Sequence, residues 1–311
     1  MAEKVIRIGT RKSALALAQS ETVRQALIAK FPEHEFELFP VLTTGDVRRD
    51  KLNLNVEDKK QWIIEIESLL VNNRIEIAVH SAKDVPINLE EGTEIKSILN
   101  REDSRDVLVV KPGACFDVKD PIVSLPRGCK IGTSSKRRKA QIKLMRPDIE
   151  VVPFRGNVNK RIEKLYADET LSAIILAAAG INRLNIDMQT IPIDSLQMLP
   201  AVGQGQLLAQ YLKSNTTVDE MLGAISNAQD QYCYEAERRV IEMLGADCHS
   251  AVGVNAEFKD NEIVIDCVVL TEDGTDFIRD RISSEVEKRF NSAELLASNL
   301  IQKGARTLLS S

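Results

Sequence analysis

The sequence predicts an α/β protein that carries a smaller α+β domain in its last third, and three observations support this. Strand-like and helix-like segments alternate through the first two thirds of the 311 residues. That is the pattern of mixed, mainly parallel sheets with helices on both faces. A strand–IGT–helix unit occurs twice in that region. The final third changes to consecutive strands and a closing helix, which suits a small antiparallel sheet.

In chain order, VIRIGT reads as a strand. Ala14 to Phe31 has helical periodicity, with Leu15, Leu17, Ala18, Val23, Ala26 and Leu27 on or near one face. EFELFPVL alternates like a strand, Gln61 to Val71 is helical, and IEIAVH is a strand again. A second series starts at Asp106 to Val110. It continues with CKIGT (strand), a basic helix to Met145, EVVPF (strand), a helix from Asn157 and the buried strand SAIILAA. From about Thr217, helices lead into GADCHSAVG, then strands AVGVNAEF, EIVIDCVVL and TDFIRDRI, and a helix from Ser292 to Leu309. Candidate hinges are NREDSRD (Asn100 to Asp106) and MLPAVGQGQ (Met198 to Gln206). The expected division is 1–100 with 200–217, then 101–199, then 218–311.

The repeated unit carries chemistry. Ile8 to Ser13 (IGTRKS) and Ile131 to Arg138 (IGTSSKRR) each end a strand and offer hydroxyls and basic side chains where a helix begins. A helix amino terminus presents free N–H groups and partial positive charge, so such a turn suits an anion. One is ordinary capping. Two in matching positions suggest two similar domains facing a shared cleft.

Composition narrows the partners. With 43% hydrophobic and 28% charged residues, the chain is ordinary globular protein. Its net charge of −5 is uneven: Lys130 to Lys164 holds eleven Lys or Arg against three acids. A basic patch on an acidic protein points to a local anion site. Aromatics are only 4%, and none is interleaved with the basic run as a base-stacking platform requires, so no nucleic acid is expected. The longest apolar run, Ala173 to Ile181, is too short to span a bilayer, so no membrane association is expected. The amino terminus MAEKVIRIGTRK has no apolar stretch of signal-peptide length, so a cytoplasmic location is expected, and a monomer. Five widely spaced cysteines without CxxC and three scattered histidines argue against a disulfide framework and against a metal. Cys248 stands apart from the others, in a polar turn-like stretch after a helix.

AVHSAKDVP, from Ala78 to Pro86, is the most informative stretch. An apolar strand breaks into a loop carrying Lys83 beside Asp84, where open α/β sheets bind ligands. Alone, the pair reads first as a surface ion pair, the commoner meaning of an adjacent Lys-Asp. With RKSALALAQ (Arg11 to Gln19), TGD (Thr44 to Asp46), REDSRD (Arg101 to Asp106), IGTSSKRR, RGNVNKR (Arg155 to Arg161), AIILAAAGINRL (Ala173 to Leu184), LPAVGQG (Leu199 to Gly205), AER (Ala236 to Arg238) and Cys248, it resembles the porphobilinogen deaminase (hydroxymethylbilane synthase) family. The motifs occur in family order and cover nearly the whole chain.

The resemblance implies three domains, the first two similar to the halves of a periplasmic binding protein. It implies a transferase that condenses four porphobilinogen molecules head to tail, with release of ammonia, into hydroxymethylbilane for tetrapyrrole and haem biosynthesis. It also implies a dipyrromethane cofactor joined by a thioether to Cys248. The residues match that chemistry. Each porphobilinogen carries an acetate and a propionate, and arginine offers planar, permanently charged forks for carboxylates. The implied cofactor contacts are Arg11, Ser13, Lys83, Asp84, Thr133, Ser134, Ser135, Arg137, Arg138 and Arg155. Substrate contacts are Arg11, Arg155, Arg161, Arg183, Gln204, Lys59 and Trp62. Ammonia loss leaves an electron-poor azafulvenium, and the family places an anion at the position of Asp84 to stabilise the charge. Lys83 assists it. Taken in isolation, Arg137 and Arg138 on an exposed helix would be a solvated face, and Gly203 and Gly205 an ordinary hinge.

Three stretches depart from the family pattern. GGKGLF is replaced by Asp58-Lys59-Lys60-Gln61-Trp62-Ile63, GGC followed by Gln or Ser, Val and Pro by Ala246 to Ala251, and a leucine by Lys136. The segment from Arg48 to Gln61 is expected to stay mobile, with Trp62 against the cofactor cleft. The alternative reading is a divergent paralogue that binds pyrroles or other polycarboxylates without polymerising them. Retention of Asp84 with Cys248 favours the enzyme.

Overall fold

A computed structural model describes residues 5–41, 56–111, 113, 117–247 and 250–310, with backbone alone for 56–62. Cys248, the TGD motif, the side chains of Lys59 and Trp62, and residues 48–55 therefore lie outside the described residues. The chain forms two compact units, Met1–Arg101 with Gln206–Gln231, and Glu102–Gly205 with Tyr232–Ser311.

The first unit is built on a mixed sheet of β1 (Ile6–Arg11), β2 (Phe36–Val41), β3 (Ile77–Ser81), β4 (Thr93–Ile98) and β10 (Leu207–Leu212). Its order is β2-β1-β3-β10-β4. β1 lies parallel to β2 and β3, whereas β10 lies antiparallel to β3 and β4. α1 (Ala14–Lys30) and α2 (Val56–Val71) follow β1 and β2, and α6 (Thr216–Ala224) follows β10. Ile8, Val23, Leu27, Ile77, Ile98, Tyr211 and Leu222 form one core, each nearly or fully buried. Burying such a side chain stabilises by about 1.5–3 kcal/mol.

The second unit repeats the scheme with β5 (Asp106–Val110), β6 (Lys130–Gly132), β7 (Glu150–Val152), β8 (Ala173–Ala177) and β9 (Thr190–Pro192), in the order β7-β6-β8-β5-β9. β6 is parallel to β7 and β8; β5 is antiparallel to β8 and β9. Strand for strand this is the arrangement of the first sheet. α3 (Lys136–Met145), α4 (Val158–Ala167) and α5 (Ala178–Arg183) follow β6, β7 and β8. The echo seen in the sequence is thus a repeated sheet. In both copies the IGT glycine is closely packed: a Cβ on Gly9 would run into the Cδ1 of Ile75, and one on Gly132 would meet Phe154 at 2.7 Å. The same unit holds the antiparallel sheet of β11 (Val252–Lys259), β12 (Glu262–Leu270) and β13 (Phe277–Glu285), with α7 (Ala228–Leu244), α8 (Arg289–Gln302) and α9 (Ala305–Ser310).

The α/β class with a small antiparallel sheet matches the expectation, and several details differ from it. α2 begins at Val56, five residues before Gln61, because EDKKQ consists largely of strong helix formers. The carboxyl-terminal helix, expected whole from Ser292 to Leu309, breaks at Gly304, whose φ of +102° stops a helix. β4, β9 and β10 were not anticipated; LLAQYL in β10 is a short apolar run whose periodicity does not separate buried strand from helix. α6 packs Val218, Met221 and Leu222 into the first unit's core, and that unit runs through Gln231.

Candidate active site

In the first unit, parallel register places the carboxyl ends of β1 and β3 side by side. β1 delivers Arg11 and Ser13; the Ser13 hydroxyl caps α1 by accepting from the Ala16 N–H at 3.4 Å. β3 runs into a single 3-10 turn, Ala82–Asp84, closed by Val85 N–H to the Ala82 carbonyl at 3.2 Å. Asp84 is exposed; Arg11, Ser13 and Lys83 are partly exposed. The turn is tied to the returning chain by the Ala82 N–H, which donates to the Gln206 carbonyl at 3.0 Å. Behind it lies His80, buried, 3.1 Å from the Gln210 Oε1. Burial lowers the His80 pKa to about 4, against the bond to Gln210 and the nearby Asp84, while Arg11 lowers it further. His80 is therefore neutral near pH 7 and serves the packing behind the turn.

In the second unit the parallel ends of β6 and β7 gather the other residues. The Thr133 hydroxyl accepts from the Ser135 N–H at 3.2 Å, Ser134 from the Phe154 N–H at 2.8 Å, and Ser135 from the Arg138 N–H at 3.4 Å. Each oxygen accepts from a backbone N–H, which leaves each hydroxyl its own hydrogen to donate. After β7 come exposed Arg155, then Asn157, which caps α4, and half-buried Arg161 in the first turn of that helix. No acid occupies the first turn of α1, α3 or α4. The amino termini beside these turns thus keep their partial positive charge available to an anion.

Arg137 and Arg138 are not a solvated face. Both are buried against Asp106, which is fully buried at the head of β5. Arg137 Nη1 donates to Asp106 Oδ2 at 2.7 Å and to the Leu199 carbonyl at 2.6 Å. Arg138 donates to Asp106 Oδ1 through Nε at 3.1 Å and Nη2 at 2.8 Å, and to the Ile175 carbonyl at 2.9 Å. Burial alone would raise the Asp106 pKa, but the two guanidinium charges and their hydrogen bonds outweigh it and hold the carboxyl well below its ordinary value. Gln204 is buried in the same cluster, donating to Asp106 Oδ1 at 2.9 Å and to the Ser104 carbonyl at 2.7 Å. Arg183, its pKa lowered by burial to about 10 and still charged at neutral pH, donates to the Gly205 carbonyl at 2.6 Å. Asp106 closes the REDSRD motif and opens the otherwise apolar strand DVLVV, but nothing in the sequence shows that it meets Arg137 and Arg138.

Around the cysteine, only the flanks are described: Asp247 and Ser250 are joined by Ser250 N–H to the Asp247 carbonyl and Ser250 hydroxyl to Asp247 Oδ1, both at 3.1 Å. Among the described residues no group of three or more acids, histidines or cysteines could hold a metal, and no helix is long and apolar enough to cross a membrane.

Residues 6–220 match the porphobilinogen deaminase, dipyromethane cofactor binding domain, and residues 231–303 match the porphobilinogen deaminase, C-terminal domain. The chain belongs to the porphobilinogen deaminase family. A porphobilinogen deaminase of Syntrophobacter fumaroxidans is 38% identical over 311 residues, covering 99% of this chain and 98% of that one. Another, of Campylobacter concisus, is 37% identical over 309 residues, covering 98% and 97%. Among solved structures, the Bordetella pertussis BvgS periplasmic VFT2 domain is 14% identical with a TM-score of 0.41, covering 71% of this chain and 86% of that one. As a member of the porphobilinogen deaminase family, the chain is a hydroxymethylbilane synthase of tetrapyrrole biosynthesis, polymerising porphobilinogen with a dipyrromethane cofactor.

Proposed function

We propose that the polymerisation is carried by the residues at the carboxyl ends of β1, β3, β6 and β7, with the cofactor attached to Cys248. The donor set at these ends supports this reading: arginines, backbone-anchored hydroxyls and helix amino termini without first-turn acids. Such a set fits a ligand bearing several carboxylates. When bound, the dipyrromethane supplies the pyrrole carbon to which new units are added. Ser13, Lys83, Thr133, Ser134, Ser135, Arg137 and Arg138 hold its carboxylates. Arg11 and Arg155 serve cofactor and substrate, and Arg161, Arg183, Gln204, Lys59 and Trp62 serve substrate. Asp84 stabilises the positive charge that develops on porphobilinogen as ammonia leaves, and Lys83 beside it keeps the turn charged and ordered. The three-domain division, a cytoplasmic location and a monomeric state complete this reading.

Intact mass under denaturing conditions tests it. The chain expressed with ample porphobilinogen should be heavier than the bare polypeptide by two condensed pyrrole units, and Cys248→Ala should abolish the difference. A bare thiol in that preparation would refute the attachment.

A further inference from the structure

Asp106 carries more charge chemistry than a core position needs. Its Oδ1 accepts from Arg138 Nε, Arg138 Nη2 and Gln204 Nε2, and its Oδ2 from Arg137 Nη1, at 2.7–3.1 Å. All four of these residues are buried. Among the described residues two guanidiniums face this one carboxylate, so the cluster carries one net positive charge at the amino end of α3. A buried charge without a counter-charge is costly, and a second anion beside the pair relieves that cost. The exposed side of the same turn carries Ser134 and Ser135, which have hydroxyl hydrogens to donate. Without Asp106 the two like charges would repel, and neither fork would keep its orientation.

We propose that Asp106 is a positioning residue: it clamps Arg137 and Arg138 side by side and leaves them one unit of positive charge for a carboxylate of the pyrrole chain. The proposal rests on reading that arginine pair as a carboxylate site. Gln204 extends the clamp, since the same carboxylate oxygen that holds Arg138 also fixes the segment returning from Leu199. The arginine pair and the returning segment therefore share one anchor.

The test uses the full chain with Asp106→Glu, which keeps the charge but moves it by one methylene, and Asp106→Asn, which removes it. Urea unfolding verifies the fold, and intact mass gives the fraction carrying cofactor. Thermal unfolding in a Cys248→Ala background, with porphobilinogen as the added probe, reads carboxylate binding without the cofactor. In a folded Asp106→Glu chain, the cofactor-bearing fraction should fall at least several-fold. The stabilisation by porphobilinogen should shrink, and KM should rise about tenfold with a smaller change in kcat. A folded Asp106→Glu chain equal to the parent in cofactor fraction, KM and thermal shift overturns the proposal. So does loss of fold in both variants, which makes Asp106 purely structural. If the parent chain itself lacks the adduct, it is the Cys248 attachment that fails; with the adduct present in the parent, the Asp106 result stands alone.

Discussion

Asp84 stands exposed in the turn that follows β3, where its carboxylate can face a developing cation. Asp84→Asn is nearly isosteric and should leave the unfolding curve unchanged while lowering turnover by ~10²–10³. Arg11→Gln and Arg155→Gln should act differently, raising KM or slowing cofactor acquisition through lost carboxylate pairing. A wild-type turnover number in Asp84→Asn would remove Asp84 from catalysis. His80 gives a pH signature. Its folded pKa is lowered to about 4 from 6.5, so the unfolded chain binds a proton that the folded chain refuses between those values. The stability tied to neutral His80 is complete above about pH 6.5 and declines as pH falls toward 4, by roughly 3 kcal/mol at most. Urea midpoints across pH 4–7 should show this slope, and His80→Gln should flatten it. Asp84, Arg11 and the hydroxyl turn were legible as motifs because their neighbours in sequence carry the signal. Asp106 closes the REDSRD motif, but its pairing was not legible, because its partners Arg137, Arg138 and Gln204 lie 31, 32 and 98 positions away along the chain.

Among the elements, the two strand–IGT–helix units are held by close packing behind the glycine. A methyl group on Gly132 would press into Phe154 and Ile174, so Gly132→Ala should cost about 1–3 kcal/mol, read from the shift in urea midpoint. Ser135→Ala removes the cap of α3 and should cost about 1 kcal/mol. Because it also removes a hydroxyl donor, the cofactor-bearing fraction should fall with it. Long amphipathic helices and alternating strands were visible in the sequence, since their periodicity repeats over several turns. The start of α2, the break at Gly304 and the strands β4, β9 and β10 were not. A polar amino-terminal turn resembles a loop, and short strands carry too few residues to show a period.

For the molecule as a whole, covalent attachment of a ligand to the native state should raise the thermal midpoint. Cys248→Ala should therefore melt several degrees below the cofactor-bearing chain, and an unchanged midpoint would mean that the ligand is not held by the folded protein. The sequence by itself determined the family, the class of chemistry and the existence of two similar sheets, because ordered motifs and hydrophobic periodicity are local properties of the chain. Only tertiary structure decided that β10 returns to complete the first sheet and β5 opens the second, each antiparallel to its neighbours. Only tertiary structure, too, turned Arg137 and Arg138 from an exposed basic face into a buried pair around Asp106. Strand order and charge burial depend on which distant segments meet, and a single sequence records the residues of such a meeting without recording the meeting.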